Sequence, residues 1–203
     1  MEKRTENHIA WLKEQGYEIR FPGGTSRDGE HACFGVFVRA SLVSGRKLYE
    51  TMVIPYLPSM RTTDDGASEK EFTEESHQTL EREISEETGV LINKGTYELL
   101  GTRLVDNYRE DKKGEKHTKY AYIIFDYDAS NIRTKPSPYQ QMIGVPFWVP
   151  LNMSLSKIIA PTHQWIISKS LRAMHNAPLS EKAKKRSYEP GKRNRYLSVS
   201  ALL

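Results

Sequence analysis

The chain has 203 residues, of which 37% are hydrophobic and 28% are charged, and this length is typical of one folded domain with short additions. The mean hydropathy is -0.64, and no apolar run approaches the roughly 18 residues of a membrane-spanning helix, which excludes an integral membrane protein. The N-terminus mixes charges without an apolar stretch, so we expect no secretory signal and a cytoplasmic location. Cys33 is the single cysteine, and its apolar neighbours predict a buried structural thiol.

The net charge of +4 is concentrated near the C-terminal end of the chain. Residues 180–203 contain seven lysines and arginines and two glutamates, a local charge of 7 - 2 = +5, so residues 1–179 carry 4 - 5 = -1. Few large apolar residues are present there to offset the entropy of ordering. We therefore predict that residues 179–203 form a basic tail, which is either flexible or contacts a polyanion such as RNA.

Hydrophobic periodicity and turn residues predict one α/β unit without internal repeats. An N-terminal lead-in, residues 1–30, begins with a helix over residues 6–15 that Thr5 caps and Gly16 ends. Ile9 and Leu12 form the buried side of this helix. Five strands are predicted from alternating apolar residues between turn signals, at residues 32–40, 47–56, 97–105, 119–127 and 145–151. The first two are joined over residues 41–46 as a hairpin or lie as neighbouring strands.

Two more helices are predicted after a polar loop at residues 59–72. Thr73 is followed by a strong helical pattern, with Glu74 and Glu75 in the first turn and Gly89 just past the end. Pro161 opens the last helix, and His163 in its first turn is interpreted as a packing or capping residue rather than a ligand. The apolar side of that helix carries Trp165, Ile167, Leu171 and Met174.

Three glutamates of the middle helix, Glu83, Glu86 and Glu87, have i, i+3, i+4 spacing and therefore share one face. Carboxylates this close repel each other unless a cation lies between them. Mg²⁺ prefers oxygen ligands, so the spacing predicts a site for a hard divalent cation. Leu80 and Ile84 lie one turn apart and would hold the opposite side of the helix against a sheet.

Residues 68–90 resemble the signature of the Nudix hydrolases, G-x5-E-x7-R-E-U-x-E-E-x-G-U, in which U is an aliphatic residue. The matching positions are Glu74, Arg82, Glu83, Ile84, Glu86, Glu87, Gly89 and Val90. A chance match of this kind is expected on the order of once in a million chains. Ser68 replaces the first glycine of the signature, and Gly66 lies two residues earlier.

The resemblance implies a fold, a cofactor and a role for each residue of the signature. The implied fold is an α/β/α sandwich with a mixed β-sheet, a Nudix hydrolase domain over residues 31–178. Mg²⁺ or Mn²⁺ is implied as the cofactor, bound by Glu83, Glu86 and Glu87. Arg82 orients these carboxylates, although a plain i,i+4 ion pair with Glu86 is the simpler interpretation.

The resemblance names Glu83 as one candidate for the general base. Several members of the family take the base from a later loop, where the candidates are Glu110, Asp111 and Glu115. Glu74 and Gly89 are interpreted as supporting residues, because an acid at the start of a helix and a glycine after its end are favourable anyway.

Nudix hydrolases cleave a diphosphate linkage in a nucleoside diphosphate joined to another group, by attack of water on phosphorus. Three interpretations follow: a metal-dependent hydrolase of this kind, a Nudix module that binds a nucleotide without cleaving it, or an RNA-directed hydrolase of capped or 5′ ends that uses the basic tail. The intact acidic face favours the first. The expected partner is a nucleotide-type small molecule, with a homodimer as a further option. Tyr108 lies where members acting on dinucleoside polyphosphates tend to have tyrosine, which is weak support in a chain of 11 tyrosines.

Overall fold

The structure is a computed structural model of the chain, and it describes residues 3–43, 46–60, 73–106, 114–137 and 142–176. Within these ranges the chain has the mixed α/β composition that the sequence predicts. The helices are α1 (Lys3–Glu14), α2 (Ser76–Thr88) and α3 (Gln164–Asn176). The strands are β1 (Glu18–Arg20), β2 (Gly23–Thr25), β3 (His31–Phe37), β4 (Arg39–Val43), β5 (Arg46–Tyr56), β6 (Tyr97–Asp106), β7 (Lys116–Ile124) and β8 (Phe147–Pro150). None of the helices in the described ranges is long and apolar enough to cross a membrane.

The strands of the described ranges form two four-stranded sheets. The first has the order β2-β3-β7-β6; β3 and β7 run parallel while the other neighbours are antiparallel, which confirms the predicted mixed sheet. In the second sheet the long strand β5 pairs antiparallel with β1, β4 and β8. A wholly antiparallel sheet therefore accompanies the mixed one.

The predicted strand at residues 32–40 is divided between the two sheets. β3 ends at Phe37 in the mixed sheet, and β4 begins at Arg39 in the antiparallel one. Val38 lies between them, and its N–H donates to the carbonyl of Ile124 at 3.1 Å. β4 then pairs antiparallel with β5, which agrees with the predicted hairpin. The predicted connection over residues 41–46 is too long, because residues 41–43 belong to β4 and Arg46 to β5, and residues 44–45 lie outside the described ranges. Both strands have the same two-residue period, so the sequence pattern does not reveal the crossing.

Several predicted boundaries are wrong at the N-terminal end. α1 begins at Lys3, so Thr5 lies inside the helix and does not cap it, although Ile9 and Leu12 are buried as predicted. Gly16 ends this region with a φ of 85°, a conformation that glycine adopts at little cost. β1 and β2 were not predicted, because three residues are too few to show periodicity.

α2 begins later than the sequence predicts. Glu75 is its N-cap, and the backbone N–H of Glu75 donates to Oε1 of Gln78 at 2.9 Å. Thr73 is therefore not the cap, and Glu74 precedes the helix instead of occupying its first turn, because the pairing of N-cap and N3 side chains fixes the start. Gly89 ends the helix as predicted, with a φ of 78° and its N–H donating to the carbonyl of Ser85 at 2.9 Å.

The last predicted helix is also shorter at its start. Pro161 opens a 3₁₀ turn that ends at His163, and α3 follows from Gln164. His163 is 3% exposed, and its Nδ1 accepts a hydrogen bond from the N–H of Phe21 at 3.3 Å. Its predicted packing role is confirmed.

β7 and β8 are displaced from their predicted ranges or shorter than them. β7 begins and ends three residues earlier than predicted, and just beyond its end the N–H of Phe125 donates to the carbonyl of Thr96 at 3.1 Å. β8 is a four-residue strand inside the predicted range.

The packing of α2 on the mixed sheet fixes the position of the acidic face. Leu80 and Ile84 are completely buried against the sheet, as predicted. A Cβ atom at Gly35 of β3 would lie 2.7 Å from Cδ1 of Ile84, so this glycine permits the close approach of the helix. Cys33 is buried beside it, and its Sγ donates to the carbonyl of Ser76 at 3.0 Å, which confirms the predicted structural thiol.

We expect Ile84→Ala to lower the free energy of unfolding by about 2–5 kcal/mol, because it leaves a cavity between α2 and the sheet. Urea denaturation followed by circular dichroism measures the loss. Leu91→Ala is the control, since Leu91 is 73% exposed and its truncation should change the stability by less than about 0.5 kcal/mol. Equal losses in the two variants would contradict this packing.

Candidate active site

The guanidinium of Arg82 binds three carboxylates. Nε and Nη2 donate to the two oxygens of Glu74 at 2.9 Å each. Nη1 donates to Oε1 of Glu83 at 2.6 Å and to Oε2 of Glu86 at 3.3 Å, and Nη2 also donates to the carbonyl of Thr25 at 3.0 Å. The contact with Glu86 is the longest of the five, so a plain i,i+4 ion pair does not describe this residue. Burial opposes the charge, but the hydrogen bonds that Arg82 donates to Glu74 and the negative charge of Glu83 raise the pKa of Arg82.

Glu74 connects the start of α2 with the loop after β2. Its Oε2 accepts a hydrogen bond from the N–H of Arg27 at 3.0 Å, and its own N–H donates to Oδ2 of Asp28 at 3.2 Å. Although burial acts in the opposite direction, the bonds from Arg82 and Arg27 lower the pKa of Glu74. The ionised carboxylate of Glu74, which accepts hydrogen bonds from Arg82 and Arg27, fits the supporting role predicted for it.

The three glutamates of the acidic face differ in exposure. Glu83 and Glu87 are buried at 5% exposure, whereas the side chain of Glu86 is 32% exposed. Burial raises the pKa of Glu83, and Arg82 offsets part of that effect. Burial and the charge of Glu83 raise the pKa of Glu87. In the described ranges no donor lies within hydrogen-bond distance of Oε2 of Glu83 or Oε1 of Glu87, so both oxygens are free to accept a proton or bind a cation.

Two adjacent glycines of β2 lie directly against these carboxylates. The N–H of Gly23 donates to Oε2 of Glu87. A Cβ atom at Gly23 would overlap the backbone of Cys33, and one at Gly24 would overlap the carboxylate of Glu83. Only glycine fits between β3 and α2 at these positions. Sequence reasoning missed them, although paired glycines after a proline are a signal of close backbone approach.

Arg20 of β1 is a second missed residue near the carboxylates. Its guanidinium carbon lies 3.6 Å from the ring centroid of Tyr56, and Oε2 of Glu18 accepts from its Nε at 2.9 Å and its Nη2 at 2.5 Å. The positive charge of Arg20, together with the Gly23 N–H, acts against the burial that raises the pKa of Glu87. No sequence motif marks this arginine.

The carboxylates of the site fit a hard divalent cation by their chemistry. Arg82 contacts Glu74, Glu83 and Glu86, and Arg20 is the cation that acts on Glu87, so the four carboxylates and two guanidinium groups sum to 2 - 4 = -2 when all are ionised. Among the residues that the structure describes, no group of three or more histidine, cysteine, aspartate or glutamate side chains is already arranged to hold a metal ion. The donors fit Mg²⁺ or Mn²⁺, and binding by all three glutamates requires their side chains to rearrange.

Other predicted site residues are not placed here. Glu115 is exposed immediately before β7, and in the described part of the chain no hydrogen bond or ion pair joins it to the carboxylates of α2. Outside the described residues lie Gly66, Ser68, Tyr108, Glu110, Asp111 and the basic tail.

No protein-family model and no curated protein matches this chain. Among solved structures it is similar to the Nudix domain of NrtR from Shewanella oneidensis, solved with ADP ribose, at 14% identity and a TM-score of 0.46 over 71% of this chain and 87% of that chain. It is also similar to the mutator MutT protein from Bacillus halodurans, at 14% identity and a TM-score of 0.34 over 75% of this chain and 80% of that chain. At this distance the likeness carries no argument about activity.

The raised pKa values of Glu83 and Glu87 predict how metal-free stability changes with pH. The folded state binds more protons than the unfolded state above about 4.3, the usual pKa of a glutamate, so stability falls as the pH rises from there toward neutrality. Glu87→Gln cannot ionise. We therefore expect the melting temperature of this variant in EDTA to rise relative to that of the wild type as the pH is raised from about 5 to 8.

The control for this titration is Glu81→Gln on the same helix. Glu81 accepts a hydrogen bond from the hydroxyl of Tyr97 at 2.7 Å, which a glutamine oxygen also does. This variant makes the same Glu-to-Gln change outside the acidic face, so it shows how much of the effect comes from the amide itself. A difference between Glu87→Gln and the wild type that does not change with pH would contradict the burial of an ionisable carboxylate.

Proposed function

We propose that this chain is a metal-dependent hydrolase of the Nudix type, which cleaves a diphosphate linkage in a nucleoside diphosphate joined to another group. The observation that carries the proposal is the acidic face of α2, where Glu83 and Glu87 are buried with unpaired oxygens beside Glu86. Desolvated carboxylates without enough cations are unfavourable for folding, and such sites are typical of function.

Glu83, Glu86 and Glu87 are the residues that would hold Mg²⁺ or Mn²⁺. Bound there, the cation would neutralise phosphoryl oxygens and lower the pKa of a water molecule. Arg82 holds Oε1 of Glu83, which leaves Oε2 of the same carboxylate as the candidate acceptor for the proton of the attacking water. The raised pKa of Glu83 has the direction expected of a base that works near neutral pH.

A module that binds a nucleotide without cleaving it is the alternative, and product formation separates the two. The RNA-directed alternative depends on residues 179–203, outside the described ranges, and stays a prediction. The cytoplasmic location and the homodimer also stay predictions.

We expect hydrolysis of at least one compound in a panel of nucleoside diphosphate derivatives, including ADP-ribose and dinucleoside polyphosphates, when Mg²⁺ or Mn²⁺ is present. Glu86→Gln and Glu87→Gln should each lower kcat by about 10²-fold or more, because each removes one anionic oxygen ligand. Chromatography of the products measures the rates. Glu81→Gln is the matched control and should retain the wild-type rate; near-normal rates in both site variants would overturn the assignment of this face.

Metal binding alone provides a test that needs no substrate. A cation that binds the folded state at a hundredfold excess over Kd stabilises it by about 2.7 kcal/mol. Each kcal/mol raises the Tm of a domain of this size by roughly 2–4 °C, so millimolar Mn²⁺ should raise the Tm by several degrees. Glu87→Gln should reduce this shift and Glu81→Gln should preserve it. Equal shifts in all three proteins would place the cation elsewhere.

A further inference from the structure

We propose that Arg20, stacked on Tyr56, binds a phosphate group of the substrate beside the carboxylates of α2 and thereby selects ligands that contain a diphosphate. This inference rests on the proposed function and adds a residue that the Nudix signature does not contain. It follows from the place of Arg20 in the backbone, from its unused donors and from the charge of the site.

A rigid segment connects Arg20 with the acidic face. Three residues after Arg20, the N–H of Gly23 donates to the carboxylate of Glu87. Between them, Phe21 is completely buried, and its N–H donates a hydrogen bond to Nδ1 of His163. The carbonyl of Pro22 accepts a hydrogen bond from the N–H of Gly35 at 2.8 Å. The position of Arg20 relative to Glu87 is therefore set by buried contacts and not by a free loop.

Arg82 has no donor left for a phosphate. A guanidinium has five N–H donors, and Arg82 makes five hydrogen bonds, four to carboxylate oxygens and one to the carbonyl of Thr25. In this arrangement a phosphate beside the carboxylates receives no hydrogen bond from Arg82.

Arg20 has the donors that Arg82 lacks. Glu18 engages its Nε and Nη2, and within the described residues no acceptor lies within hydrogen-bond distance of its Nη1. The side chain is 27% exposed, so this edge of the guanidinium is accessible. Contact with Glu18 and the ring of Tyr56 fixes its plane, and a fixed planar guanidinium is well suited to phosphate oxygens.

A second arginine on the same sheet provides a matched control. Arg39 stacks on Trp148 at 3.9 Å and donates from its Nε to Glu50 at 2.9 Å, so it repeats the surroundings of Arg20. Arg20 pairs with Ile54 of β5 and Arg39 with Glu50, four residues away, which corresponds to about 13 Å along the strand.

The experiment measures the binding of methylenediphosphonate, a diphosphate analogue that resists hydrolysis, by calorimetry in millimolar Mn²⁺. Arg20→Gln should raise its Kd on the order of 10- to 100-fold, because a charge-assisted pair of hydrogen bonds is lost. Arg20→Lys should recover part of the affinity through its charge. Arg39→Gln should stay within about twofold of the wild type, which is within roughly 0.4 kcal/mol.

The Mn²⁺-induced Tm shift without diphosphonate separates a binding role from a structural one. Arg20→Gln should keep this shift or increase it, since a nearby positive charge opposes cation binding. With a nucleotide substrate, the same variant should raise KM more than it lowers kcat.

Two results overturn the inference, and they differ in what else they overturn. If the wild type hydrolyses nucleotides but Arg20→Gln binds diphosphonate as tightly as Arg39→Gln does, Arg20 is not a phosphate-binding residue and the proposed function stands. If the wild type neither binds diphosphonate nor hydrolyses any nucleotide of the panel, the proposed function itself is wrong.

Discussion

The bonding of Arg82 to the carboxylates around it is the interaction on which the acidic site depends. Five N–H donors of one side chain are distributed over Glu74, Glu83, Glu86 and the carbonyl of Thr25. These bonds connect the start of α2, its acidic face and β2. Without them, the burial of Glu83 would leave an unpaired charge in a low-dielectric environment, which is strongly unfavourable.

The same arrangement leaves Glu87 with less compensation than Glu83. Its carboxylate is buried, accepts one backbone hydrogen bond from Gly23 and lies beside the charge of Glu83. The opposite side of α2 compensates for this cost, since Leu80 and Ile84 are completely buried on the mixed sheet. Apolar packing on one side therefore holds an electrostatically unfavourable face in position on the other, as expected where stability and function conflict.

The division of strands between two sheets determines what surrounds the acidic face. β1 pairs with β5 in the antiparallel sheet, whereas β2, which follows after two intervening residues, pairs with β3 in the mixed sheet. Arg20 therefore comes just before Phe21 and Pro22 in the chain. The two glycines that lie against Glu83 and Glu87 come just after them. One short segment thus supplies both the backbone against the carboxylates and the arginine proposed to bind phosphate.

The sequence by itself determined the features that depend on neighbours along the chain. The i, i+3, i+4 spacing of the glutamates, the buried side of α2 and the helix end at Gly89 all follow from a period of 3.6 residues and local capping. Only the tertiary structure decided that Glu74 pairs with Arg82, that Gly23 and Gly24 lie against the carboxylates and that Arg20 stacks on Tyr56. These contacts join residues up to 64 positions apart, and no local period or propensity encodes such distances, because they are set by how the two sheets and α2 pack.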